Sequence, residues 1–197
     1  MNEIEPFRQH ISSRIQLSAA ELDEFTAAFK LKNIRKRQFI IQPDFVTKER
    51  TYVLSGAFRS YVIARDGADH TIQFALADWW ISDINSYLYQ KPATMFVIAL
   101  EASKILQINY DDEQKLKASN PRFETFFRIG AERTAAFHQR RIISALTRTA
   151  EERYNEFIES YPEAAQRLPQ YTIASYLGMT TEFLSKIRNN KVRKKLK

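Results

Sequence analysis

Apolar residues change their spacing twice along the chain. Before Lys30 they recur at helical intervals: Leu22, Phe25 and Phe29 lie three and four residues apart. Ser18-Ala-Ala-Glu21, just ahead of them, is a capping-box pattern that predicts where this helix starts. From Arg37 to Ile108 the texture becomes short runs of β-branched and aromatic residues: Phe39–Ile41, Tyr52–Leu54, Phe58–Ile63, Thr71–Phe74, Phe96–Leu100 and Ile105–Ile108. Pro43-Asp44, Ser55-Gly56 and Asp66-Gly67 separate them, and Asp66-Gly67 between two alternating runs predicts a hairpin. Short strands at such regular spacing predict an antiparallel barrel or roll.

After Asn120-Pro121 the helical period returns, with Asn as cap and Pro at the first helical position. Phe123, Phe126, Phe127, Ile129, Phe137 and Ile142 to Leu146 make this helix apolar on more than one face. Two readings stand level: it pairs with a second copy of itself, or it lies across the roll. Thr149-Ala-Glu-Glu152 is a second capping box, opening a helix with Tyr154, Phe157 and Ile158 that stops at Pro162.

The stretch from Pro169 to Arg188 has the layout of a helix-turn-helix. Ile173, Ala174 and Leu177 share one face of a first helix, and Gly178 suits the left-handed residue that ends it. Thr180 suits the cap of a second helix, and Glu182 suits the positive end of its dipole. Phe183 or Leu184, with Ile187, is expected to face the core, leaving Thr181, Glu182, Ser185, Lys186 and Arg188 outward. That set fits a major-groove reader over 180–188. Lys186 can donate to guanine O6 and N7, Glu182 can accept from cytosine N4, and the hydroxyls of Thr180, Thr181 and Ser185 can reach phosphates or bases. Arg188 and Lys191 would add phosphate contacts. An ordinary helical hairpin with a solvated charged face is the alternative; the spacing, the caps and the charge that follows favour DNA.

Charge sharpens this picture. The net charge is +7, and Phe183 to Lys197 alone holds seven basic residues and no acid, so the remainder is neutral overall. Such a local field attracts polyanions: nucleic acid first, an anionic membrane second. Leu184, Ile187, Val192 and Leu196 would give a membrane only a weak stripe, which Asn189-Asn190 interrupts. With 44% hydrophobic and 13% aromatic residues, the composition is globular. The absence of cysteine rules out disulfides and cysteine-ligated zinc or iron–sulfur centres. His10, His70 and His138 are too scattered to suggest haem or metal ligation. Met1 to Arg14 has no apolar signal region and nothing is apolar enough to span a membrane, so a cytoplasmic protein is expected. Asp111-Asp112-Glu113 lacks the ligand spacing of a calcium loop and is predicted to be a solvated turn. No catalytic motif occurs, and only four glycines are present, so an enzyme is not expected.

Taken in order, these elements resemble the Crp–Fnr transcriptional regulators over nearly the whole chain. Residues 37–109 resemble that family's cyclic-nucleotide-binding β-roll, with Tyr52-Val-Leu-Ser-Gly56 matching its characteristic turn. Residues 120–146 fall where the family has its dimer helix, and 171–188 match its helix-turn-helix. The resemblance implies Thr181, Glu182 and Lys186 at base-reading positions, a homodimer, double-stranded DNA and RNA polymerase as partners, and a small effector in the roll. Phe74, Trp80, Ser82, Asp83 and Thr94 are the candidate effector-pocket residues, although packed core is the favoured reading for Phe74 and Trp80, as for Trp79 and Met95.

The chain also departs from the family. Ser82-Asp83 replaces the Gly-Glu of its ligand cassette, and Ala93-Thr94 replaces Arg-Ser/Thr. Asp83 can still bond a ribose hydroxyl and Thr94 a phosphate, but the arginine that neutralises a cyclic phosphate is missing. Cyclic AMP binding is therefore not expected. No strand pattern for the family's wing follows Arg188; either the basic tail substitutes, or the branch is wingless.

The expectation is an α+β protein: a β-roll sensor with flanking N-terminal helices over 1–118, a dimerisation helix over 119–147, and a helix-turn-helix domain with a basic tail over 148–197. Its expected function is DNA-binding transcriptional regulation without a cofactor. The competing reading is a ligand sensor whose basic C-terminus meets an anionic membrane surface or a protein partner.

Overall fold

The computed structural model describes residues 3–195, so Leu196 of the apolar stripe and Lys197 of the basic cluster lie outside it. Two short helices, α1 (Glu5–Ser12) and α2 (Ala19–Ala27), come first. The strands are β1 (Lys30–Ile34), β2 (Phe39–Ile41), β3 (Glu49–Ser55), β4 (Phe58–Ile63), β5 (Asp69–Ala75) and β6 (Trp80–Ile81), then, after helix α3 (Ile84–Tyr89), β7 (Phe96–Ala99) and β8 (Ser103–Asn109). Helices α4 (Tyr110–Ser119), α5 (Pro121–Thr147), α6 (Ala150–Ser160), α7 (Pro162–Arg167), α8 (Gln170–Tyr176) and α9 (Thr181–Lys195) complete the chain. Both capping boxes form as the sequence predicts: Ser18 accepts from the Glu21 amide and Thr149 from the Glu152 amide, with each glutamate reaching back to its cap.

The strands make two four-stranded sheets, ordered β1-β8-β3-β6 and β2-β7-β4-β5. Between them lies one core, with Ile34, Val53, Ile81 and Ile105 from the first sheet and Ile41, Phe58, Val97 and Ala99 from the second. Tyr52, Leu106 and Ile108 point the other way, into an aromatic core built with Phe7, Phe25, Phe123, Phe126 and Phe127 of the helices. The first sheet is thus covered on both faces. That is why β3 and β8 carry continuous rather than alternating apolar runs. Gly56, between β3 and β4, has φ +102°, and a Cβ there would meet Ser103 Oγ at 2.0 Å, so the turn tolerates no side chain.

Some elements differ from the sequence reading. β1 lies in Lys-Leu-Lys-Asn-Ile, whose pattern is mostly polar; five register pairs with β8, not periodicity, make it a strand. Asp111-Asp112-Glu113 is not a solvated turn but the first turn of α4, where Asn109 caps the Asp112 amide at 2.8 Å and acids favour the helix dipole. Glu113 is fully buried, 3.1 Å from Arg50 Nη1 and 2.6 Å from Lys117 Nζ, and it accepts a hydrogen bond from the Tyr87 hydroxyl at 2.9 Å. Likewise α9 does not end near Arg188 but continues to Lys195, since no glycine or proline interrupts 189–195.

The chain divides into two compact units: residues up to 61 together with 73–135, and residues 62–72 together with those from 136 onward. The outer end of the β4–β5 hairpin thus belongs with the helix-turn-helix. Among the described residues no helix is long and apolar enough to cross a membrane, and no cluster of three or more His, Asp or Glu is arranged to hold a metal ion.

Candidate nucleic-acid interface

The helix-turn-helix is assembled by burial on one side and by turn chemistry at its centre. In α8, Thr172, Ile173, Ala174 and Tyr176 are buried. Gly178 then adopts φ +68°, the left-handed conformation expected of it. Its amide donates to the Ser175 carbonyl at 3.2 Å and the Met179 amide to the Ala174 carbonyl at 3.0 Å, closing the last turn of the helix. A Cβ on Gly178 would meet nothing within 4 Å, so glycine is required for conformation rather than for space. Thr180 Oγ1 accepts from the Phe183 amide at 3.2 Å, which caps α9.

Burial on α9 resolves the alternative that periodicity left open. Leu184 and Ile187 are in the core, whereas Phe183 is 47% exposed. Glu182, Lys186 and Arg188 are exposed and Thr181 partly so. Besides Thr180, two of the residues expected to face DNA are engaged within the protein. Ser185 Oγ donates to the Thr181 carbonyl at 2.9 Å and accepts from Gln170 Nε2 at 2.8 Å, tying α9 to α8. Lys191 Nζ donates to Asn155 Oδ1 of α6 at 2.7 Å.

Two exposed residues join this face that the sequence reading left out. Asn189 is exposed and lies seven positions after Glu182, two turns along the same stripe. Helical spacing applied as far as 189 would have found it. Phe183 had been assigned provisionally to the core, and only burial could decide between it and Leu184.

The motif is clamped to the hairpin end by residues that carried no sequence signal. Arg141, on α5, donates through Nη1 to the Ile72 carbonyl at 2.6 Å, and through Nη2 to the Thr71 and Tyr176 carbonyls at 2.8 and 2.9 Å. Its guanidinium also lies 4.4 Å from the centroid of the Tyr176 ring. Ser175 Oγ accepts from the Thr71 amide at 2.8 Å and donates to the Asp69 carbonyl at 3.0 Å. Burial lowers the Arg141 pKa from its ordinary value and raises that of the Tyr176 phenol, so the phenol stays protonated. In the sequence, Gln139-Arg140-Arg141 looks like an ordinary solvated stretch.

The candidate effector residues of the roll do not form one pocket. Asp83 is fully buried, and both its oxygens are taken by the chain: Oδ1 accepts from the Ser86 amide at 3.0 Å, capping α3, and Oδ2 from the Thr94 amide at 2.9 Å. Ser82 Oγ is 3.4 Å from the Glu49 carbonyl. Ser82, Asp83 and Thr94 thus lie in one neighbourhood, bonded to the protein itself. Phe74 is fully buried and packs on Trp79, with ring centroids 5.2 Å apart. Trp80 joins the other core, 5.4 Å from Tyr52 and 6.2 Å from Phe7 between ring centroids. Neighbours in a strand point to opposite faces, which separates Trp80 from the interior occupied by Ile81.

What these features define is an α+β chain with a cyclic-nucleotide-binding-type roll, a long helix and a helix-turn-helix, the fold of the Crp–Fnr regulators. Solved structures with this fold include the c-di-GMP-responsive global regulator CLP of Xanthomonas campestris, with TM-score 0.71, 13% identity, and coverage of 91% of this chain and 94% of that one. FixK2 of Bradyrhizobium japonicum gives TM-score 0.71 at 19% identity over 84% and 85% of the two chains. The catabolite activator protein of Thermus thermophilus gives 0.57 at 15% over 90% and 85%. At these identities the likeness establishes the fold. No protein-family model matches the chain, and neither does any curated protein sequence.

Proposed function

We propose that the chain is a DNA-binding transcriptional regulator of the Crp–Fnr type that acts as a homodimer and reads a pseudo-palindromic site with the N-terminal half of α9. The observation that carries this reading is the sorting of side chains on α9. Leu184 and Ile187 hold it against its own unit, while Glu182, Lys186, Arg188 and Asn189 are exposed. Lys186 and Glu182 are the base readers in this reading, and Asn189 adds a group able to bond adenine N6 and N7. Arg188 and Lys191 take phosphates, Lys191 by leaving Asn155. Thr180 and Ser185 act mainly within the motif, as cap and as tie to α8.

In a dimer, two such helices enter successive major grooves about 34 Å apart. The apolar face of α5 is the proposed dimer contact, because Ile142, Ile143 and Leu146 are 60, 52 and 80% exposed. RNA polymerase is the further partner that the fold likeness suggests. Asp83, bonded to the chain through both oxygens, argues against cyclic AMP as the effector. Calorimetry with cyclic AMP should accordingly show no binding.

Selection of bound sequences from random duplex DNA tests the proposal. Enrichment of one two-fold-related motif, with half-sites about one helical turn apart, is the expected result. Recovery of unenriched sequences would overturn the regulator reading in favour of a membrane-surface or protein-partner role.

A further inference from the structure

A cavity of about 600 Å³ opens within the second unit, lined by His70–Ile72 of the hairpin, the C-terminal half of α5, α6 and the end of α8. Its size lies within the range of small-molecule sites. Phe137, Phe157 and Tyr176 supply aromatic wall, and the last two rings are 5.8 Å apart.

The charge of the lining is one-sided. Arg140, Arg141 and Arg153 all line the cavity. Arg141 donates only to carbonyl oxygens, as described above, and Arg153 likewise donates to the Leu177 and Arg148 carbonyls at 3.1 and 2.7 Å. Carbonyls satisfy the donors without cancelling the charge. Glu156 is the single carboxylate among the described residues that line it, and it is engaged by Ser144 at 2.8 Å and Arg148 at 2.7 Å. Arg140 has no hydrogen-bond or ion-pair partner among the described residues and acts electrostatically on Tyr161, beside the cavity. Apolar walls with several cations and one committed acid suit a ligand that brings its own negative charge and a ring.

We propose that this cavity binds a small organic carboxylate with an aromatic body, the carboxylate held by Arg140 and the ring packed against Phe137, Phe157 and Tyr176. Such a ligand would touch the hairpin end and the end of α8 at once, the two segments that Arg141 joins. The binding site stands independently of the DNA reading.

Calorimetry on the full chain with 1-naphthoate and with its neutral amide, 1-naphthamide, tests the site. The expected result is a Kd of about 1 mM or tighter for the acid, with at least roughly tenfold weaker binding of the amide. Arg140→Gln, at an exposed position, should weaken naphthoate by about tenfold while leaving the thermal midpoint unchanged. No binding of naphthoate at millimolar concentration overturns the proposal, as it would if a second copy of the chain filled the cavity. Equal affinity for acid and amide, or no effect of Arg140→Gln, also overturns it. Because the titration contains no DNA, its failure is distinct from failure of the sequence selection.

Discussion

Lys186 is exposed on α9, one turn after Glu182, and has no hydrogen-bond or ion-pair partner among the described residues, as its proposed role as a base reader requires. Lys186→Ala should therefore relax sequence preference at one base pair, with a loss of about 1–3 kcal/mol there, read by binding to a panel of single-base operator variants. Arg188→Gln should instead weaken all sequences alike and flatten the salt dependence of binding. Equal loss on every sequence for both variants would remove Lys186 from the base readers. A second residue-scale expectation concerns Glu113. Glu113→Gln leaves Arg50 and Lys117, both mostly buried, without their shared carboxylate. Breaking such a cluster costs about 3–5 kcal/mol, measurable by urea denaturation. His10 gives a pH dependence. Burial, then Arg14, lowers its pKa from 6.5 to about 4, so the folded state holds it neutral. Its contribution to stability is complete above pH 6.5 and is lost as pH falls toward 4; thermal midpoints of the protein and of His10→Gln across that window should diverge accordingly.

At the scale of elements, Gly178 and Gly56 make opposite demands. Gly178 needs only the left-handed conformation, so Gly178→Ala should cost about 1–2 kcal/mol and Gly178→Asn less, followed by loss of helical circular dichroism on denaturation. Gly56→Ala adds a collision with Ser103 to the same backbone strain and should be the more damaging of the two. The elements also show where periodicity succeeds. The helix-turn-helix, both capping boxes and the Asp66-Gly67 hairpin were legible because each depends on residues within one turn of each other. β1 was not legible, because its strand character comes from pairing with β8, more than 60 positions away in sequence, as Lys30 opposite Gln107 shows. Asp111 to Glu113 misled for a related reason. An acidic run looks solvated until Arg50, 63 positions earlier, is placed beside it.

For the whole molecule, the proposed function makes dimerisation the property on which DNA affinity would depend most. Ile143→Glu with Leu146→Glu places charge on the exposed apolar face of α5. The double variant should sediment as a monomer and lose DNA affinity by about a hundredfold or more, since each half-site is then bound alone. A variant that remains dimeric would move the contact off this part of α5. The proposed carboxylate site belongs to this scale too, because its lining comes from four separate segments of the second unit.

By itself the sequence determined the order of roll, long helix and helix-turn-helix, the alanine at 93 where the resemblance leads one to expect an arginine, and the exclusion of thiolate chemistry. Each of these is written in residue type or in short-range spacing. Tertiary structure alone decided that Leu184 rather than Phe183 enters the core, that Trp80 leaves the roll interior, and that Asp83 is consumed by its own backbone. It also turned Arg141 from one more basic residue into the clamp between the hairpin and α8. The physical reason is common to all four. Periodicity says which residues share a face, but the partner that a face or a charge meets comes from chain far away in sequence.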